Sequence, residues 1–152
     1  MSPLLLLANL ILSAFLTGLI WFVQIVHYPI FRKVPASHFG AYHAAHTLTT
    51  GQVVAVPMLV ELGIGGWLAL QPVPATLQWA GYAAYACVIL VWAVTFGVAV
   101  PLHNRLGAAG YGEAAVNGLV AANWVRTVGW TARTALLSYL VYHQLAGKNG
   151  VL

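Results

Sequence analysis

Long apolar runs, separated by short polar segments, constrain this chain more than any other feature of its sequence. Each run can cover the roughly 20 residues that the hydrocarbon core of a membrane requires. Only 5% of the residues are charged, whereas an ordinary soluble domain has roughly 25%. A soluble core could not bury this much apolar surface. The sequence therefore predicts one transmembrane domain over residues 1–152, with helices at about residues 3–31, 52–70, 77–100 and 115–144.

The connections between these runs predict the topology. A short uncharged turn at residues 71–75 joins the second and third runs. The other two connections, residues 32–50 and 101–114, are longer and polar, and the first of them includes a predicted short polar helix at residues 37–50. Closely linked helices pack antiparallel to their neighbours. The predicted fold class is all-α, an integral membrane four-helix up-down-up-down bundle.

Basic residues indicate which face of the bundle lies in the cytoplasm. Arg32, Lys33, Arg105 and Arg126 fall on the side of the two polar connections, whereas Lys148 falls on the other side. Because cytoplasmic segments carry an excess of Lys and Arg, we expect a bacterial inner-membrane protein whose polar, His-rich face is cytoplasmic.

Two other classes of function are excluded by composition. The net charge of +4 is not arranged as a basic stripe with interleaved aromatic residues, so nucleic acid is not an expected partner. Cys87 is the single cysteine, so neither a disulfide framework nor a catalytic dithiol can form.

Four histidines are expected to meet at the polar face. His43 and His46 are three residues apart and share one helical face, while His27 and His103 lie near the polar ends of the first and third runs. Helix bundles build metal and haem sites from such convergent side chains. The four residues are therefore candidate metal ligands, with His27 and His103 as candidate cofactor-binding residues. The identity of the cofactor stays open between haem and a His-bound transition metal, and interfacial or hydrogen-bonded histidines remain the alternative.

Polar residues also occur deep within the apolar runs. Asn123, Arg126, Trp130 and Arg133 recur at spacings of three and four, which places them on one helical face, and Glu61 lies within the second run. Ionisable groups in a membrane interior are costly and pair with each other. We therefore predict that Glu61 and Arg133 form an ion pair or share a water cluster. Glu61, Asn123, Arg126 and Arg133 are candidate catalytic residues, and the alternative is a structural ion pair.

Five segments of the chain resemble a widespread group of small bacterial four-helix membrane proteins of unassigned activity. These segments are WFVQIVHYP at residues 21–29, YHAAH at 42–46, PMLVEL at 57–62, VPLHNRL at 100–106 and NWVRTVGWTAR at 123–133. The last two segments, in the second half of the chain, also resemble the anthrone-oxygenase-like family. That second resemblance implies oxidation of an activated polycyclic carbon to a quinone.

Two hypotheses of different classes follow. The first is an oxidoreductase, a membrane oxidase or oxygenase acting on an aromatic, quinone-like or lipidic substrate. In this hypothesis the four imidazoles bind a metal or haem or carry protons, Arg126 and Arg133 stabilise an enolate or phenolate oxygen, and Asn123 orients the substrate. The second is a non-catalytic small subunit, or a haem-, metal- or quinone-binding module, of a larger membrane complex. The expected partners are the lipid bilayer, a small hydrophobic substrate or quinone, and further membrane subunits or copies of this chain.

Overall fold

The computed structural model describes residues 2–148, without the side chains of residues 147 and 148, and these residues form no β-strand. The side chain of Lys148, on which the predicted orientation depends, and both ends of the predicted domain lie outside the described residues. The fold is all-α, with four long helices. They are α1 (Pro3–Phe31), α2 (Ala36–Ala69), α3 (Ala75–Ala109) and α4 (Glu113–Lys148).

Two helices are longer than their apolar runs. The predicted short helix at residues 37–50 is not separate, because α2 continues through Gly51 without a break. A single glycine costs a helix only about 1 kcal/mol relative to alanine, which is too little to end it. The predicted polar connection at residues 101–114 is also wrong over most of its length. Helix α3 ends at Ala109, where Gly110 adopts a φ of 79° that glycine tolerates at a helix C-terminus.

The helices form a ring in which each helix packs against its chain neighbours and α4 closes the ring against α1. Large apolar side chains such as Leu4, Val56 and Trp67 are exposed on the outside. Helices α1, α2 and α3 are long and apolar enough to cross a membrane, whereas α4 does not meet that standard. The polar stripe of α4 lowers its hydropathy, and this stripe faces the interior, where Asn123 and Arg133 are buried.

Helices α1 and α3 share an irregularity close to their polar ends. Residues 23–27 and 95–99 each form one π-helical turn, and a proline, Pro29 or Pro101, follows two residues later. A proline in a helix clashes with the carbonyl group four residues before it. The extra residue of a π-helical turn absorbs such a distortion and changes the direction of the side chains around it. Single π-helical turns occur frequently at functional sites.

Gly65 lies against the side chain of Arg133 in the interior, and substituting this glycine provides a test of the fold. An alanine Cβ at this position would lie 2.8 Å from Nη2 of Arg133, whose guanidinium is held by other hydrogen bonds. We expect Gly65→Ala to lower the free energy of unfolding by about 1–3 kcal/mol through overpacking. Gly63→Ala is the matched control, since nothing lies within 4 Å of its Cβ. Thermal unfolding in detergent should separate the two variants, and equal melting temperatures would contradict the packing described here.

Candidate functional site

Glu61 and Arg133 form a closed ion pair, here called the inner pair, in the middle of the bundle. Nε of Arg133 donates to Oε1 of Glu61 at 2.8 Å, and both side chains are buried. Arg133 also donates through Nη1 to the carbonyl oxygen of Ala84 and through Nη2 to Oδ1 of Asn9. The second carboxylate oxygen of Glu61 accepts the indole N–H of Trp130 at 3.0 Å. The predicted pair is confirmed, and every nitrogen of its guanidinium has a partner.

Arg126 has very different surroundings, although it is also buried and lies on the same helix. Its Nη2 donates to Oδ1 of Asn123 at 2.6 Å and to the hydroxyl oxygen of Tyr28 at 3.2 Å. Asn123 in turn donates to Oε1 of Gln24 at 2.7 Å. All of these partners are neutral. Among the described residues, Arg126 forms no ion pair, and its Nε is buried without a hydrogen-bond partner.

The four predicted histidines do come together, as an imidazole cluster composed of His27, His43, His46 and His103. Nε2 of His27 lies 2.6 Å from Nδ1 of His46, and Nε2 of His43 lies 3.1 Å from Nδ1 of His103. The rings of His46 and His103 are 5.4 Å apart, which brings the two hydrogen-bonded pairs side by side. Tyr28 connects this cluster to Arg126, because its hydroxyl group lies 3.2 Å from Nε2 of His103.

A cavity of about 160 Å³ lies between the helices beside this cluster. Its polar wall includes Tyr28, His46, Thr47, Thr50, His103 and Arg126. Its apolar wall includes Ile20, Val23, Val54, Met58, Ala99 and Trp130. Apolar cavities of about 150 Å³ accept a benzene molecule, so this one has room for an aromatic ring. An apolar pocket with a few convergent polar groups is the usual form of a small-molecule site.

The cavity continues toward the outside of the bundle between α1 and α2. The π-helical turns of α1 and α3 pack mainly against α4 rather than α2. A second hollow of about 210 Å³ lies in the resulting groove and is lined by Phe22, His27 and Val53, among others. It shares Leu19, Val23 and Thr50 with the cavity. A molecule larger than one ring could therefore extend from the cavity into this groove.

The arrangement of the imidazole cluster does not support the predicted metal site, and the haem stays a prediction. Catalytic zinc sites use three protein ligands and structural sites use four. Four of the eight ring nitrogens of the cluster instead form hydrogen bonds with each other. Within residues 2–148, no three side chains of His, Cys, Asp or Glu are placed to hold one metal ion.

The predicted site residues fall into two groups, those at or directly behind the cavity wall and those of the inner pair. His46, His103 and Arg126 line the cavity, and Asn123 holds Arg126 in place. His27 and His43 lie behind the cavity wall as hydrogen-bond partners of His46 and His103. The inner pair does not line the cavity, and Trp130 separates it from that space. The inner pair has the contacts of a structural element.

Tyr28 and Thr50 were not predicted as site residues, yet both line the cavity. The hydroxyl group of Thr50 lies 3.1 Å from Nδ1 of His46, and Tyr28 contacts both Arg126 and His103. Consecutive residues of a regular α-helix point about 100° apart, so His27 and Tyr28 are not expected to serve one site. The nearby Pro29 was the available signal that the helix is irregular at this point.

Comparisons with protein-family models, with curated proteins and with solved structures find no match to this chain.

Proposed function

We propose that this protein is a membrane oxidase or oxygenase that binds a lipophilic molecule with a quinone- or phenol-like head. The ring of this head occupies the cavity, its oxygen faces Arg126, and its apolar remainder lies in the groove between α1 and α2. Support comes from the size of the cavity, its apolar wall and its continuation into the groove. The resemblance of the second half of the chain to the anthrone-oxygenase-like family agrees with this class of substrate.

The proposal depends on one observation, the burial of Arg126 without an opposite charge among its described neighbours. A buried charge without an opposite charge is strongly unfavourable, and this arginine is only 8% exposed. The contrast with Arg133 is informative, because that guanidinium has a carboxylate and uses all of its nitrogens. The buried Nε of Arg126 has no partner, while the side chain borders the cavity. An electron-rich oxygen on a bound molecule would supply the missing acceptor.

The proposed chemistry begins with loss of a proton from the substrate. The oxyanion that forms is stabilised by the N–H groups of Arg126 in a site sheltered from water, where such stabilisation is strongest. Dioxygen is the oxidant in both forms of the reaction. A quinol and dioxygen give a quinone and hydrogen peroxide. An activated CH₂ group and dioxygen give a carbonyl group and water.

The proposal includes a topology in the membrane. The four helices alternate in direction across a bacterial inner membrane, with the imidazole cluster toward the cytoplasmic face. Arg32 and Lys33 between α1 and α2, and Arg105 near the end of α3, favour that orientation under the positive-inside rule. The inward-facing polar stripe of α4 supports insertion of this helix in the membrane together with the other three.

The proposed function can be tested with 2-decyl-1,4-benzoquinol, which has one ring, two oxygens and an apolar tail. Purified protein in lipid nanodiscs is titrated with this probe, and with decylbenzene as the control that has no oxygens. We expect the quinol to bind more tightly than decylbenzene, and dioxygen uptake with peroxide formation to exceed that of empty nanodiscs. Equal binding of the two compounds would contradict the proposal. Binding of the quinol without turnover would instead favour the non-catalytic quinone-binding module.

A further inference from the structure

We propose that Tyr28, His103 and His43 form a proton relay from the cavity to the polar end of the bundle. The hydroxyl group of Tyr28 lies 3.2 Å from Nε2 of His103, and Nδ1 of His103 lies 3.1 Å from Nε2 of His43. Tyr28 and His103 line the cavity, whereas His43 lies behind them. The three side chains therefore connect the proposed substrate with groups outside its binding space.

Arg126 favours one direction for the hydrogen bonds of this relay. A guanidinium has only donors, so the oxygen of Tyr28 accepts from Arg126. Nε2 of His103 is the other hydrogen-bond partner of this hydroxyl group among the described residues, and we assign the phenolic hydrogen to that bond. Nε2 of His103 is then an acceptor, and the neutral ring carries its hydrogen on Nδ1. That hydrogen is donated to His43, whose own hydrogen is therefore on Nδ1. A buried arginine thus orders three side chains into one directed chain.

The far end of the relay is open to the polar end of the bundle. Within the described residues, Nδ1 of His43 has no protein hydrogen-bond partner and is not among the fully buried unpaired atoms. The neighbouring position is Gly107, an exposed residue of α3 without a side chain. A Cβ at Gly107 would lie 3.9 Å from Nδ1 of His43, so a side chain there would cover this nitrogen. Glycine leaves room for water beside this nitrogen, although His43 as a whole is only 3% exposed.

The relay rests on the proposed function, since the proton that it moves comes from the bound molecule. A substrate O–H group gives its proton to the oxygen of Tyr28 as the phenolic hydrogen passes to Nε2 of His103. The hydrogen on Nδ1 of His103 then passes to Nε2 of His43, and the hydrogen on Nδ1 of His43 passes to water. Each bond to hydrogen that breaks in the relay is replaced by one that forms. The substrate is left as an oxyanion beside Arg126.

Nitrogen NMR of ¹⁵N-histidine-labelled protein in lipid vesicles tests the relay without any substrate. We expect His103 and His43 each to carry hydrogen on Nδ1 and a bare Nε2, with signals assigned from single His→Gln variants. Tyr28→Phe removes the donor to His103 and should allow Nε2 of His103 to carry the hydrogen. A hydrogen on Nε2 of His103 in the unsubstituted protein would overturn the relay, as would shifts showing that either ring binds a metal.

The second measurement is the rate of proton release on mixing with 2-decyl-1,4-benzoquinol in the absence of dioxygen, because with dioxygen the substrate protons end in hydrogen peroxide. We expect Tyr28→Phe to slow the release seen with a pH-indicator dye by on the order of 100-fold, the usual scale of a lost acid–base group, while the affinity for the probe changes little. Tyr142→Phe is the control, since Tyr142 is exposed on α4. Unchanged release in Tyr28→Phe would overturn the relay. If the probe does not bind at all, the proposed function fails, and the NMR measurement still decides on the relay.

Discussion

Arg133→Met is expected to lower the free energy of unfolding by about 3–5 kcal/mol, the scale at which removing one partner of a buried ion pair destabilises a protein. The substitution leaves the carboxylate of Glu61 buried with only the indole of Trp130 as a donor. It also leaves the carbonyl oxygen of Ala84 and the amide of Asn9 without the hydrogen bonds that they accept from Arg133. SDS or thermal unfolding of the purified protein in mixed micelles measures this loss.

The double variant Glu61→Leu/Arg133→Met makes the test specific for the pair. Replacing both members of a buried ion pair by apolar residues is often neutral, so the double variant should be more stable than either single variant. Glu61→Leu alone should lower the free energy of unfolding as much as Arg133→Met does, because it leaves an uncompensated guanidinium. Losses that simply add in the double variant would contradict a coupled pair.

Arg126→Met is expected to have the opposite effect on stability and a large effect on binding. This arginine lies seven residues before Arg133 on the same helix, yet it forms no ion pair within the described residues. Removing an uncompensated buried charge should leave the stability of the ligand-free protein unchanged or raise it, as is common for residues kept for function. A hydrogen bond to a charged group contributes about 1.5–3 kcal/mol. The affinity for 2-decyl-1,4-benzoquinol should therefore fall by roughly 10- to 150-fold.

Comparison of the two arginine variants provides the control. Affinity for decylbenzene should be equal in Arg126→Met and in the unsubstituted protein, because this compound has no oxygen to accept from a guanidinium. Arg133→Met should retain affinity for the quinol wherever it remains folded, since Arg133 does not line the cavity. A destabilisation by Arg126→Met as large as that by Arg133→Met would show that both residues are structural.

Much of the interior could be predicted from spacing alone. The polar stripe of α4 repeats at helical intervals, at Asn123, Arg126, Trp130 and Arg133. Arg133 and Glu61 are expected at a similar depth in the membrane, and they are predicted to pair because an unpaired charge there is too costly. Trp130 joins this inner pair, as its place in the stripe suggests. The four histidines of the imidazole cluster are expected to meet because they lie near the polar ends of three helices.

The details of the polar wall could not be predicted, since they depend on the π-helical turns. Gln24, in the π-helical turn of α1, accepts from Asn123 in the network around Arg126. Tyr28 and His27 are consecutive, yet both take part in the same cluster of side chains. Counting residues at 3.6 per turn fails where one turn has an extra residue. The predicted span at residues 52–70 begins too late, and the one at residues 77–100 ends too early. Helices extend beyond the apolar region where their polar residues can be solvated.

The distance between the guanidinium of Arg126 and an oxygen of the bound head tests the proposed site most directly. The measurement is solid-state NMR recoupling between ¹⁵N-arginine protein and 2-decyl-1,4-benzoquinone labelled with ¹³C at its carbonyl carbons, in lipid vesicles. We predict a contact from Arg126 that places its nitrogens at hydrogen-bond distance, about 2.7–2.9 Å, from a carbonyl oxygen, and no such contact in Arg126→Met. If the probe is bound but its ¹³C label contacts a different arginine, or no arginine at all, a binding site at Arg126 is contradicted.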